Sequence, residues 1–183
     1  MSNDIVRAID ESQVSLLILL DYSKAFDVIC HKLLLAKLHF YGLSEAVVNW
    51  FRSYLANRRQ YVYLNGISSS TQGIVRGVPQ GSILGPLLFS IFTSDLPEYV
   101  QHCAIHQYAD DTQLHIACRP SDINNAISDI NSDLVSVSAW SQRNGLMLNA
   151  KKTMCICVGA RVMRSKALDL INCDIILDNS IIC

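Results

Sequence analysis

Two adjacent carboxylates, Asp110 and Asp111, interrupt an otherwise apolar stretch at residues 105–116. Burying a charged group costs free energy unless the charge is paired or binds a metal. Neighbouring side chains on a strand point to opposite faces, so two adjacent aspartates can converge only at a turn. The pattern therefore predicts a hairpin tip that presents carboxylates to a cation. A solvated turn or a helix start is the alternative for such a pair taken alone.

A third carboxylate, Asp21, ends an apolar run at residues 14–20. A run of this length without polar alternation predicts a strand that is covered on both faces, as at the centre of a sheet. If this strand neighbours the predicted hairpin, Asp21 and Asp110 meet at one edge and form an oxygen-rich site suited to Mg²⁺. Two such ions about 4 Å apart are a standard arrangement for phosphoryl transfer. Asp21 could instead cap a helix that begins near Ser23.

Three other segments could handle a nucleotide. The Phe26 ring could lie beneath a nucleotide sugar and clash with a 2′-hydroxyl, although an aromatic side chain in an apolar stretch is usually core. Residues 77–81 (GVPQG) predict either a rigid turn before a helix N-terminus, with the Gln80 amide as a polar probe, or an ordinary loop. Lys151 and Lys152 could neutralise a triphosphate or donate a proton to pyrophosphate, or could form a solvated pair.

Basic residues and cysteines give weaker signals. Arg58, Arg59 and Arg76 could contact phosphates, with solubility as the alternative role. The five histidines show no spacing typical of metal ligands. The seven cysteines are odd in number and contain no C-x-x-C spacing, so neither a disulfide framework nor a zinc site is indicated. A reducing intracellular setting fits them best.

Length and composition indicate one domain or part of one. Of the 183 residues 50% are hydrophobic and 17% charged, so we expect apolar surfaces that further chain or a partner covers. The net charge of −1 gives no global basic field. The longest apolar run, residues 16–20, is far shorter than the roughly 20 residues of a membrane helix, and acidic residues at 1–13 argue against a secretory signal. We therefore expect an intracellular protein, cytoplasmic or nuclear, without a membrane partner.

The elements that must position these residues mix hairpins with helices. Helices are predicted at residues 3–11, 31–41, 44–55, 83–93 and 122–144, with Asn3 or Asp4 as the cap of the first and Ser82 as the cap of the fourth. Strands are predicted at 14–20, 61–64, 67–75, 105–108, 112–117, 146–148 and 153–158, with a further pair around 178–179. This order predicts an α+β domain, an antiparallel sheet with helices packed on one face.

Four motifs stand in the order found in one protein family. They are LLDYSKAFD at 19–27, GVPQGSILGPLLF at 77–89, YADD at 108–111, and GLMLN at 145–149 with Lys152 and Thr153. Together they resemble the palm of reverse transcriptases, specifically those of non-LTR retrotransposons of the LINE type, similar to jockey. The resemblance covers about residues 14–159.

The resemblance implies a metal site. Asp21 and Asp110 would be its ligands and Asp111 an auxiliary carboxylate. Two Mg²⁺ ions would be the cofactors, and Mn²⁺ could replace them. Lys152 would be the general acid, with Lys151 as its rival.

The resemblance also implies substrates and partners. The backbone of Tyr22 would lie beside the incoming deoxynucleoside triphosphate, and Phe26 would exclude ribonucleotides. Gln80 and Gly81 would position the nucleotide and an RNA template. The reaction would be attack of a DNA primer 3′-hydroxyl on the triphosphate.

The matched region sets the expected domain boundaries. Residues 1–159 would be the palm, and residues 160–183 would begin a truncated connection toward a primer grip and thumb. The basic fingers and the thumb of the family have no counterpart here, and we expect other parts of the same polyprotein to supply them. We therefore expect the isolated fragment to be weakly active or inactive.

Two alternatives remain open at this point. An RNA-directed RNA polymerase shares the palm but tends to place a polar carboxylate where Phe26 stands. A truncated, non-catalytic remnant or an interaction-only palm domain would need no chemistry, although the Asp21, Asp110 and Asp111 set is intact.

Overall fold

The computed structural model describes residues 2–182, within which the chain forms seven α-helices and ten β-strands. The helices are α1 (Ser2–Asp10), α2 (Ala25–Val28), α3 (His31–Phe40), α4 (Glu45–Leu55), α5 (Leu84–Thr93), α6 (Ile123–Asn144) and α7 (Arg161–Leu170). The strands are β1 (Val14–Leu20), β2 (Arg59–Gln60), β3 (Tyr63–Leu64), β4 (Ile67–Ser68), β5 (Gln72–Gly73), β6 (Ala104–Tyr108), β7 (Asp111–Cys118), β8 (Met154–Gly159), β9 (Ile176–Leu177) and β10 (Ser180–Ile181). The chain divides into two compact units: the sheet unit, residues 1–23 with 95–183, and the helical unit, residues 24–94.

The sheet unit is built on a four-stranded antiparallel sheet in the order β6-β7-β1-β8. Strand β1 pairs with β7 from Val14 opposite Cys118 to Leu20 opposite Thr112, and with β8 on its other side. Six of its seven residues are buried, and because successive side chains alternate between faces, both faces are covered. The predicted α+β class, the antiparallel sheet and the two-sided burial of this strand are confirmed.

Helix α6 confirms the long amphipathic helix predicted at residues 122–144. It contacts β7, and Ile127, Ile130 and Leu134 on its apolar face are buried. The helix ends at Gly145, whose φ of 71° is the left-handed conformation that glycine tolerates at a helix C-terminus.

A buried carboxylate on α6 fixes the segment that leads into β6. Asp133, only 1% exposed, accepts hydrogen bonds from the backbone N–H groups of Gln101 (2.9 Å), His102 (3.0 Å) and Cys103 (2.8 Å). These three donors compensate the burial of the charge. Burial and the nearby Asp133 raise the pKa of the Cys103 thiol, so it stays protonated. Asp133 therefore holds the three residues that directly precede β6.

The helical unit packs α3 against α4 and α5. Its buried core comprises Leu34, Leu38, Val48, Phe51, Leu55, Leu88, Phe89 and Phe92. Helix α5 begins at Leu84 and its N-cap position is Ile83, so the prediction of Ser82 as the cap was wrong by one residue. The Ser82 hydroxyl nevertheless accepts a 3.0 Å hydrogen bond from the Gly85 N–H in the first turn.

An exposed hairpin, residues 59–73, follows α4 within this unit. Strand β2 pairs with β5 and β3 pairs with β4, both antiparallel. Asn65 and Gly66 have φ values of 49° and 82°, as a two-residue type I′ turn requires, so the predicted hairpin is confirmed. The strand predicted at 67–75 is broken into β4 and β5. Every residue from 59 to 73 is exposed.

Three segments differ from the sequence-based predictions. Helix α7 was not predicted, because Ala167 is its one buried residue and no apolar face marks it. The strand predicted at residues 146–148 is absent, and Leu148 instead forms an isolated β-bridge with Tyr22. Asn3 and Asp4 lie inside α1 rather than before it. The pair predicted around 178–179 is confirmed as β9 and β10, and no helix within residues 2–182 is long and apolar enough to span a membrane.

Candidate active site

The two adjacent aspartates lie at a hairpin tip, as predicted. Strands β6 and β7 are joined by Ala109 and Asp110, and the last pair of the ladder is Tyr108 with Asp111. Ala109 has a φ of 53°, the positive value that tight hairpin turns require at their first central residue. Asp110 is half-buried, whereas Asp111 is exposed. The tip thus presents Asp110 and Asp111 in unlike environments.

Asp21 lies at the same end of the sheet as this tip. The register of β1 with β7 ends at Leu20 opposite Thr112, and Asp21 directly follows the first of these residues while Asp111 directly precedes the second. The predicted convergence of the two strand ends is therefore present. No group of three or more His, Cys, Asp or Glu residues within 2–182 is arranged to hold a metal ion.

The Asp21 main chain is held by the turn that carries the two lysines. Its carbonyl accepts a 2.8 Å hydrogen bond from the Asn149 N–H, and its N–H donates to the Thr153 hydroxyl at 3.4 Å. That hydroxyl donates in turn to the Asn149 carbonyl at 3.0 Å. Lys151 and Lys152 lie within this turn and are exposed. The turn therefore fixes the backbone of Asp21 and leaves both ammonium groups in solvent.

One oxygen of Asp21 fits a cation. Within residues 2–182, Oδ2 is buried and has no hydrogen-bond partner in the protein. A buried carboxylate oxygen without a donor is unfavourable unless a cation compensates it. Carboxylate oxygens are the ligands that Mg²⁺ prefers. Asp21 therefore offers one ligand oxygen that fits the metal that the resemblance implies.

Tyr22 contributes its backbone and not its ring to this edge. The side chain is 6% exposed, and its hydroxyl lies 3.5 Å from the Ser141 hydroxyl. Burial raises the pKa of the Tyr22 phenol. The ring is thus part of the core, in keeping with an expected role for the Tyr22 main chain.

The second group of predicted residues lies in the helical unit. The Phe26 ring is half-buried and packs 4.9 Å from Phe89, centroid to centroid. The N–H groups of Gly77 and Val78 donate to the carbonyls of Ile29 and Phe26, each at 2.8 Å. The turn at 77–81 is thus fastened to the segment that carries Phe26.

A pair of polar side chains fixes the amide of Gln80. Its Nε2 donates to Oδ1 of Asp27 at 2.8 Å. A carboxylate can only accept, so this contact determines which end of the amide faces Asp27. Asp27 was not singled out from the sequence, because its partner is 53 positions away. Gly81 is exposed, with a φ of 72°.

A groove of about 750 Å³ in the helical unit brings several of these residues together. We call it the basic groove, and its polar lining includes Lys24, Asp27, Arg58, Arg76 and Gln80. Two of the three predicted phosphate-contacting arginines are therefore gathered with Gln80. The third, Arg59, is exposed on β2 and does not line the groove.

Comparisons with known proteins identify the family of the chain. The chain matches the model of the family described as "Reverse transcriptase (RNA-dependent DNA polymerase)" over residues 3–169. It is 33% identical over 159 residues to the "RNA-directed DNA polymerase from mobile element jockey" of Drosophila melanogaster, covering 82% of this chain and 17% of that protein. It is 32% identical over 170 residues to the "Probable RNA-directed DNA polymerase from transposon BS" of the same species, covering 86% and 18%.

Solved structures give the same fold. The apo telomerase of Candida tropicalis, truncated from its C-terminal domain, superposes with a TM-score of 0.61 at 16% identity over 87% of this chain and 34% of that one. The telomerase of that species with a fragment of telomeric RNA gives 0.57 at 16% identity over 85% and 28%. The chain spans less than a fifth of the length of the jockey and BS proteins, yet each match covers most of its own length. It belongs to the reverse transcriptase family.

Proposed function

We propose that this chain supplies the palm of an RNA-directed DNA polymerase from a retrotransposon. The observation that carries the proposal is the Asp21 carboxylate, with its unpartnered buried oxygen, at the sheet edge where the β6–β7 turn presents Asp110. The primer 3′-oxygen forms a bond to the α-phosphorus of the deoxynucleoside triphosphate. The bond to the β-phosphate breaks, and pyrophosphate leaves.

Asp21 and Asp110 would hold the divalent ions, with Asp111 as an auxiliary carboxylate. When bound, two Mg²⁺ ions supply positive charge to the attacking and leaving oxygens, and Mn²⁺ could replace them. Lys152 is the proposed proton donor to pyrophosphate and Lys151 its rival. Their shared turn is bonded to the Asp21 backbone through Asn149, which would keep a donor near the metal ligands.

Selection of the nucleotide falls to residues of the helical unit. Phe26 would exclude the 2′-hydroxyl, because its packing on Phe89 limits how far the ring can yield. Gln80, oriented by Asp27, and Gly81 would position nucleotide and template. The backbone of Tyr22 would lie beside the triphosphate.

The proposed boundaries place the palm at residues 1–159 and a connection toward the primer grip and thumb at 160–183. The chain covers only 17% of the jockey protein and 18% of the BS protein. Fingers and thumb from the same polyprotein would therefore complete the enzyme, and its partners would be an RNA template, a DNA primer and deoxynucleotides. We expect the isolated chain to extend primers weakly or not at all.

A segment exchange tests the proposal. The chain replaces the matching segment of the jockey enzyme, and the chimera is assayed for extension of a DNA primer on an RNA template with Mg²⁺. We expect extension with deoxynucleotides, and a loss of about 100-fold or more with Asp21→Asn or Asp110→Asn, since each removes a charge that stabilises the transition state. Asp10→Asn, an exposed change in α1, is the matched control.

The outcomes separate the alternatives. A chimera that folds, judged by circular dichroism, but does not extend a primer would favour the non-catalytic remnant. Use of ribonucleotides as readily as deoxynucleotides would favour an RNA-directed RNA polymerase.

A further inference from the structure

The charges of the chain are separated between its two units. The helical unit carries seven Lys and Arg against two Asp and Glu, a net charge of +5, whereas the sheet unit carries eight against fourteen, a net charge of −6. No carboxylate occurs in residues 46–94. The nearly neutral whole chain thus contains a distinctly basic unit, and concentrated positive charge is the electrostatic footprint of a nucleic-acid-binding surface.

The basic groove concentrates this charge further. Lys24, Arg58 and Arg76 line it. Among its described lining residues one carboxylate occurs, that of Asp27, and one of its oxygens accepts the Gln80 hydrogen bond. A cleft lined mainly by one sign of charge focuses the field and attracts a phosphate backbone.

An aromatic stack on α4 meets the groove at Arg58. The rings of Trp50 and Tyr54 are stacked, with centroids 5.8 Å apart and an interplanar angle of 7°. The Arg58 guanidinium lies 4.7 Å from the Tyr54 centroid, and its Nε donates to the Tyr54 carbonyl at 2.9 Å. Arg58 is therefore held in one orientation and belongs to both the stack and the groove.

Trp50 is not a core residue. Its side chain is 55% exposed, whereas the buried residues of α4 are Val48, Phe51 and Leu55. The exposed indole ring is continued by the Tyr54 ring and the Arg58 guanidinium into the basic groove. A cationic track combined with aromatic faces is the arrangement by which proteins bind single-stranded nucleic acid.

We propose that this surface binds single-stranded RNA, with phosphates in the basic groove and a base stacked on the exposed face of Trp50. The choice of RNA over DNA rests on the proposed function. Stacking on an indole ring tolerates any base, which suits a strand of arbitrary sequence such as a template.

The two tryptophans of the chain give a direct measurement. Trp140 is 1% exposed and Trp50 is 55% exposed, so a base that stacks on Trp50 quenches one emitter and leaves the other unchanged. The purified chain is titrated with an unstructured RNA of about 15 nucleotides, within the site size of such surfaces. We expect RNA to quench the tryptophan fluorescence of the parent chain. This quenching should be absent in Trp50→Phe and present in Trp140→Phe.

Matched variants separate stacking from charge. Trp50→Ala should weaken binding about 5- to 150-fold, whereas Phe40→Ala, an 84% exposed aromatic residue on α3, should change it less than twofold. Arg58→Ala and Arg76→Ala should each lower the slope of log affinity against log salt by about 0.7. Lys32 is an exposed residue of α3 that lies outside the groove. Lys32→Ala removes the same charge and should leave the salt slope unchanged.

The proposal would be overturned if Trp50→Ala bound RNA with an affinity within twofold of that of the parent chain. It would also be overturned if Phe40→Ala lost as much RNA affinity as Trp50→Ala. DNA of the same sequence that binds as tightly as RNA would overturn the assignment to RNA. Asp21→Asn with Asp110→Asn should keep full RNA binding and quenching. A failure of the proposed polymerase chemistry is thereby distinguishable from a failure of the RNA-binding surface.

Discussion

Gly77 shows how a single residue holds the turn that carries Gln80. A Cβ at this position would lie 2.7 Å from the Asp27 carbonyl oxygen and 2.8 Å from its Cα, and the φ of Gly77 is +83°. The Gly77 carbonyl also lies 2.6 Å from Nε2 of His31. The Gly77 and Asp27 backbones are therefore in direct contact, and neither segment can shift to accommodate a side chain at position 77.

Gly77→Ala should lower the free energy of unfolding by about 2–4 kcal/mol, since it adds left-handed strain to a steric overlap. Urea denaturation of the purified chain measures the change. Gly73→Ala is the matched control, because nothing lies within 4 Å of its added Cβ, and it should cost less than about 1 kcal/mol. Equal losses for the two variants would show that the close approach at Gly77 is unimportant.

At the residue scale, sequence reasoning succeeded where the chemistry is local. The GVPQG turn, the YADD tip and the Asn65–Gly66 turn each follow from conformations that a few adjacent residues require. It assigned no role to Asp27, Asp133 or Thr153, because their roles depend on partners that are distant in the chain. Whether Asp21, Asp110 and Lys152 perform chemistry stays a prediction.

At the scale of elements, the Asp133 clamp couples α6 to the start of β6. Three consecutive backbone N–H groups depend on this one carboxylate. Each buried donor left without an acceptor costs about 1–3 kcal/mol. The same clamp precedes the strand that ends at the Asp110 tip, so it helps to place that tip.

Asp133→Ala should therefore lower the free energy of unfolding by about 3–5 kcal/mol. Asp133→Asn keeps one acceptor oxygen and should give an intermediate loss. Asp129→Ala, on the same helix, removes a half-exposed charge that lies 3.7 Å from His102 and should cost less than about 1 kcal/mol. A melting temperature for Asp133→Ala no lower than that for Asp129→Ala would contradict the clamp.

Elements with strong periodicity were predicted well, and weakly marked ones were not. The central strand β1 and helix α6 have apolar faces that any packing must bury. Helix α7 has one buried residue, so its helical state depends on tertiary contacts with β8 and β1 that sequence does not reveal. Strands β4 and β5 are too short and exposed to show an alternating pattern.

At the scale of the whole molecule, the stability of the chain should depend on pH through His115. This histidine is 6% exposed in the sheet, and its Nε2 lies 3.0 Å from the Ser15 hydroxyl. Burial lowers its pKa below the usual 6.5, the nearby His106 adds to the lowering, and Asp4 opposes it. The folded protein therefore takes up a proton at His115 less readily than the unfolded chain does.

The sign of the effect follows from this difference. Stability from His115 is fully present well above pH 6.5 and is lost as the pH falls through that value, because the unfolded chain then binds more protons. The free energy of unfolding in urea should therefore fall between about pH 7.5 and pH 5.5. His115→Gln keeps a polar group beside Ser15 and should show a smaller fall. An equal fall in both proteins would assign the pH dependence to other groups.

The exposed hairpin has a practical consequence for handling the protein. Tyr61, Val62, Tyr63, Leu64 and Ile67 are each at least 60% exposed, and short strands with open edges of this composition favour intermolecular pairing. Arg58 and Arg59 precede this apolar segment, and Arg76 follows the hairpin. Charged residues that flank an exposed apolar strand oppose aggregation. These arginines should therefore oppose intermolecular pairing of the hairpin, and a variant that neutralises all three should precipitate at a protein concentration at which the parent chain stays dissolved.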